Sequence, residues 1–158
     1  MMFTIGLLTF LAGHVMYTLA FSKFGSTGSL FYISAGGSLL VSTGLFIWLQ
    51  PHVGEMLVPV VAYLVVITIM VSSAGALGSS TKNGTARFLV ICGAVMFYIS
   101  DIFVARDQFV EKTYVNRVPG LPFYYSARFM IAFSIGRLTE TGNNLLLVHV
   151  NNLYPFLD

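Results

Sequence analysis

Charged residues are spaced far apart along this chain, and the intervals between them are apolar. No acid or base occurs in 1–22, 24–54 or 56–81, and each run can supply the roughly 20 apolar residues of a membrane-spanning helix. A fourth run, about 87–106, is broken internally only by Asp101, and a fifth, about 119–137, only by Arg128. The pattern predicts an all-α, polytopic transmembrane helix bundle of about five spanning helices, at about 2–21, 31–49, 56–76, 87–106 and 119–137. Between them lie FSKFGSTGS, QPHVGE, GSSTKNGTAR and RDQFVEKTYVNR, the last a solvated loop of mixed charge. Residues 138–158 read as a polar C-terminal tail whose LLLVHV core is too short to span.

Composition strengthens this reading. The 158 residues are 56% hydrophobic and 9% charged, with a mean hydropathy of +0.83, whereas soluble domains are about 25% charged. Such a chain cannot cover a water-facing surface. The eight basic residues are scattered singly, which excludes the basic stripe of a nucleic-acid partner. Cys92 is the only cysteine, so neither an internal disulfide nor a cysteine-based zinc site forms, and no metal or cofactor is expected. The first apolar run lacks the basic flank and cleavage pattern of a signal peptide and reads as a retained span. Lys23, Lys82, Arg87 and Arg137 fall on one side and Arg106, Lys112 and Arg117 on the other, too balanced to orient the chain.

Against this apolar background a few polar side chains stand out. An acid inside a span costs roughly 2.5 to 3.5 kcal/mol on insertion scales, unless it faces the bundle interior or water. Asp101 is that acid. Gly6, Phe10 and His14 share one helical face, with Tyr17 a turn beyond, and Gly93, Phe97 and Asp101 repeat the spacing. In each copy the glycine is expected to admit a neighbouring backbone while the polar group turns inward. His14 is either a packing histidine or a proton-handling group. Ser100 and Tyr98 flank the acid within bonding reach. Tyr124, Tyr125 and Arg128 can share a face, and Tyr125 falls near the level of Asp101. An Asp101–Arg128 ion pair would explain both charges structurally. Residue counting sets His14 roughly 10 Å deeper than Asp101, so the two are expected not to touch but to line one elongated cavity. The small residues Gly36, Gly37, Ser38, Ser42 and Gly44 read as packing surface, and Tyr63, Met70 and Ala74 as core or lipid-facing.

The stretches GLLTFLAGHVMYTLAF, AYLVVITIM, GAVMFYISDIFVARDQF and PFYYSARFMIAF together resemble the YhhN-like lysoplasmalogenase family of multispanning membrane proteins. The resemblance runs from about residue 3 to 136. It rests on the order of four features: an F-x-x-G-L-x-x-F-x-x-x-H-x-x-Y helix, a Tyr followed by a Met, a G-x-x-x-F-x-x-S-D helix and a Tyr-Tyr helix. It implies hydrolysis of the vinyl ether bond of lysoplasmalogens to a fatty aldehyde and a glycerophospho-base. By matching position it brings His14, Tyr17, Ser100, Asp101, Tyr124 and Tyr125 to the site. A vinyl ether is cleaved by protonating its β-carbon, after which water captures the oxocarbenium ion. Asp101 suits the proton donor, because apolar surroundings favour a neutral carboxyl. The tyrosines or His14 would orient water or glycerol, and Arg128 would hold a phosphate.

Two departures qualify the expectation. Family members carry about three further helices before the His helix, with a Gly-Asp motif supplying a second intramembrane acid, and Arg128 stands where a glutamine is usual. The chain is thus either a lipid hydrolase acting on a lysophospholipid or similar amphiphile, or a noncatalytic or lipid-binding subunit, or an inactive fragment. A homo-oligomer or a partner supplying the missing helices would complete the first. The expected location is a bacterial inner membrane or a plasma membrane, as no organelle signal is present.

Overall fold

The computed structural model describes residues 2–153, with side chains described for 5–114 and 118–138. Five helices follow one another: α1 (Met2–Phe24), α2 (Ser29–Val53), α3 (Leu57–Ser80), α4 (Gly84–Ala105) and α5 (Tyr114–Leu153). No strand occurs among the described residues. Among the described residues, three stretches are long and apolar enough to cross a membrane: Ile5–Phe24, Ser29–Ser80 and Gly84–Val110. The second contains both α2 and α3. Its 52 residues would reach roughly 78 Å as one straight helix, far beyond a bilayer. The chain instead reverses at Gly54, whose φ of 50° is readily open only to glycine.

Helix α3 is the hub, packed against α1, α2 and α4, while α5 lies along α4. That position explains its composition. Met70 through Gly78 are all buried, and the small residues in this stretch let neighbours approach on several sides. Gly75 lies against Ser34 and the Leu30 carbonyl of α2, and Gly25, in the first turn, lies against Ala76 and Leu77. Hydroxyls bridge the same contacts, from Ser22 to Ser73 at 3.1 Å and from Ser80 to Ser26 at 2.9 Å. Tyr98 of α4 bonds Ser42 of α2, which also bonds Thr68 of α3. The outer surface is apolar, with Leu40 and Val58 each 76% exposed, as lipid contact requires.

Several expectations change. A Cβ at Gly36, Gly37 or Gly44 would meet nothing within 4 Å, and all three are exposed, so among the described residues these glycines are not packing positions. The serines Ser34, Ser38 and Ser42 occupy the packed side of α2 instead. The charged loop is shorter than its composition indicates. Arg106–Val110 continues α4 as a π turn, closed by Glu111 N–H donating to the Arg106 carbonyl at 2.9 Å. Asp107 then accepts from the Thr113 N–H at 3.1 Å. Helix α5 begins at Tyr114, contains Pro119 and Pro122, and continues to Leu153, so no helix end marks residue 138. Among the described residues, it is not one of the stretches apolar enough to span. Residues 154–158 of the predicted tail lie outside the described residues.

Candidate functional site

The repeated glycine–aromatic–polar pattern folds into two different surfaces. A Cβ at Gly93 would lie 2.8 Å from Ile131 Cγ1 and 3.2 Å from the Ala127 carbonyl of α5, so here glycine does admit a neighbouring helix. A Cβ at Gly6 would meet nothing within 4 Å. Gly6 instead borders a cavity. In both copies the polar residue turns inward, and the two meet.

His14 Nε2 lies 3.3 Å from Asp101 Oδ2, with the side chains 3% and 10% exposed. This corrects the expected offset in depth. Counting placed Asp101 about 5 residues from the α4–α5 connection, but the π turn carries the helix on through Val110. Asp101 is therefore nine residues from the helical end, against twelve for His14 from the start of α1, a difference of roughly 5 Å. A modest tilt absorbs it.

The pair is confined on all sides. The His14 ring meets Tyr63 and Phe97 edge-on at 5.4 and 5.3 Å, and Phe10 stacks beside it at 6.3 Å. His14 Nδ1 lies 2.8 Å from the Phe10 carbonyl. A carbonyl only accepts, so Nδ1 carries hydrogen and the neutral ring presents a bare Nε2 to the acid. One proton then serves both groups, as imidazole with carboxylic acid or as imidazolium with carboxylate. Despite their closeness, neither Nε2 nor Oδ2 has a well-aligned hydrogen-bond partner. Buried unsatisfied atoms are uncommon and costly, about 1–3 kcal/mol each, and they mark places where chemistry or ligand contact is accommodated. Tyr63 lines the same cavity as the acid, and its hydroxyl interacts with that carboxylate. Tyr63 was read only as core or lipid-facing. The usable signal was a hydroxyl-bearing ring early in the most apolar helix, and it is the tyrosine of the Tyr-then-Met feature.

Other candidates separate from the acid. Ser100 is buried but donates to the Gly120 carbonyl at 3.0 Å, pinning α4 to α5 beside the two prolines. Tyr98 bonds Ser42 rather than Asp101. Tyr125 points outward, 59% exposed, with its ring against Tyr124. Arg128 makes no ion pair with Asp101; it donates to the Tyr124 hydroxyl at 3.0 Å and lies 5.6 Å from that ring's centroid. The reason is directional, because Ala127, one residue earlier, is the fully buried position against α4.

Two cavities flank the histidine–acid pair. One of about 250 Å³ has Asp101, Tyr63 and Tyr98 in an otherwise apolar wall of Gly6, Leu49, Leu64, Phe109 and their neighbours. The other, about 210 Å³, is bounded by His14, Tyr17, Phe97, Tyr124 and Arg128. Phe10 borders both. No group of three or more His, Cys, Asp or Glu side chains able to hold a metal occurs among the described residues. The arrangement offers one movable proton, aromatic walls suited to a transient cation, an apolar space on one side and a guanidinium on the other.

Over 132 residues the chain is 28% identical to lysoplasmalogenase TMEM86B of Rattus norvegicus, an alignment covering 84% of this chain and 52% of that protein. The chain therefore spans about half the length of the curated relative it matches. No solved structure gives a significant match. The model of the YhhN family matches residues 1–135, which include the His14 helix, the Asp101 helix and the Tyr124 turn, and the chain belongs to that family of membrane proteins.

Proposed function

We propose that this protein is a membrane hydrolase of the lysoplasmalogenase type, cleaving the vinyl ether of a single-chain phospholipid. The carrying observation is the buried His14–Asp101 contact between an apolar cavity and a cavity bearing Arg128. The Asp101 carboxyl gives its proton to the β-carbon of the double bond. Positive charge then develops on the α-carbon and ether oxygen, where the faces of Phe10, Phe97 and Tyr63 can stabilise it. Water adds to the α-carbon and returns a proton to Asp101, with His14 holding the acid in place. The hemiacetal passes its hydroxyl proton to the glycerol oxygen as the C–O bond breaks. Aldehyde and glycerophospho-base leave, and no proton is gained or lost overall. Arg128, backed by Tyr124 and near Tyr17, suits the phosphate of the substrate. A bacterial inner membrane or plasma membrane is the proposed location.

The similarity to a named lysoplasmalogenase supports this reading at the level of reaction class. The experiment is aldehyde release from lysoplasmalogen by the purified chain, beside Asp101→Asn of matched helicity. The parent should release aldehyde and the variant should not; no release by the parent would reject competence of this chain. A second reading also has an observation behind it: the same contact joins α1 to α4 and would serve as a helix lock in a noncatalytic subunit. In that case Asp101→Asn lowers stability while there is no activity to remove.

A further inference from the structure

We propose that the cavity beside Asp101 holds the alkyl chain of the lipid, and that Gly6 and Phe109 at its far end set the chain length accepted. This deepens the hydrolase reading and rests on it for the position of the reacting bond. Measured from the pair, α1 runs back from His14 to Gly6 and α4 runs on from Asp101 to Phe109, both toward the same side of the bundle. Each distance is eight residues, roughly 12 Å. The wall therefore extends from the acid toward that side. Its wall suits a chain and not a headgroup. Leu45, Leu49, Leu64 and Ile67 line it, and of its polar groups the Tyr98 hydroxyl is taken by Ser42. Arg128 borders the other cavity together with His14, so head and tail fall in different cavities beside the reacting pair. Each methylene moved from water into such a space strengthens binding about fourfold.

Gly6 is the position that can be changed cleanly. A Cβ there meets no atom within 4 Å, the glycine borders the cavity, and leucine is a better helix former than glycine. The protein is reconstituted in nanodiscs of double-chain phospholipid and offered octenyl and hexadecenyl lysoplasmalogens. Gly6→Leu should lower kcat/KM for the long chain relative to the short one by about sixteenfold, the equivalent of about two displaced methylenes. Phe109→Ala should move the ratio the other way. Gly36→Leu adds the same side chain at an exposed glycine outside the cavity and should leave it unchanged. An unchanged ratio in both cavity variants, or an equal change in Gly36→Leu, overturns the assignment. Thermal stabilisation by saturated octyl and hexadecyl lysophosphocholines, which carry no vinyl ether, is read in parallel. If no aldehyde forms yet Gly6→Leu selectively loses stabilisation by the long chain, the chain site stands and the hydrolase reading falls. Equal stabilisation of both proteins by both lipids overturns the chain site itself.

Discussion

The His14–Asp101 contact predicts a measurable coupling between two residues 87 positions apart in sequence. The perturbation is Asp101→Asn and His14→Gln, made singly and together. At 3.3 Å, with side chains 3% and 10% exposed, the pair is in the regime where removing one partner strands the other. Losing one side of a buried pair typically costs about 3–5 kcal/mol. Here the contact is imperfectly aligned, so the expected cost of each single change is near the lower end, about 3 kcal/mol. The double variant strands neither group, and its cost should fall short of the sum by about 1–3 kcal/mol. Unfolding in mixed micelles, followed by helicity and Trp48 fluorescence, supplies the four free energies. Agreement of the double variant with the sum of the singles to within about 0.5 kcal/mol would refute the contact as an energetic unit. The same proteins also separate the two roles: coupling with aldehyde release that vanishes in Asp101→Asn indicates catalysis, and coupling without activity indicates a lock.

Three further outcomes are expected. Gly93→Ala should destabilise by about 1 kcal/mol, since crowding of about 1–3 kcal/mol against Ile131 and Ala127 outweighs the helix-propensity gain. Gly6→Ala should stabilise by about 0.8–1 kcal/mol, and equal shifts in detergent melting would show that the two motif copies are packed alike. Tyr63→Phe removes a hydroxyl that interacts with Asp101; kcat should fall about tenfold, the worth of one hydrogen bond of about 1.5 kcal/mol, with KM unchanged. Arg128→Gln should raise KM for a phosphate-bearing substrate by about fivefold or less, the range of a solvated charge contact, and leave kcat as it was. A kcat loss equal to that of Asp101→Asn would place Arg128 in the chemistry instead.

The class of the protein was legible in its sequence because hydropathy is a local property. Charge-free runs longer than a bilayer's thickness determine helices, an apolar exterior and the exceptional status of Asp101 and His14, whatever the later packing. The family resemblance was legible for a similar reason, since it rests on spacing within single helices. Relations between helices were not. The meeting of His14 with Asp101 depended on five residues of π turn that read as loop, because mixed charge marks solvent contact and not the end of a helix. The different fates of Gly6 and Gly93 depended on α5 lying against α4, while no described atom lies within 4 Å of a Cβ at Gly6. Arg128 and Tyr125 were assigned toward Asp101 from their spacing, yet Ala127 takes the buried position, which turns Tyr125 outward and leaves Arg128 bonded to Tyr124. Tyr63 joined the acid only because α3 sits at the centre of the bundle, with α1 and α4 on either side. Sequence thus determined which side chains are costly in lipid, whereas tertiary packing decided which of them share that cost by meeting.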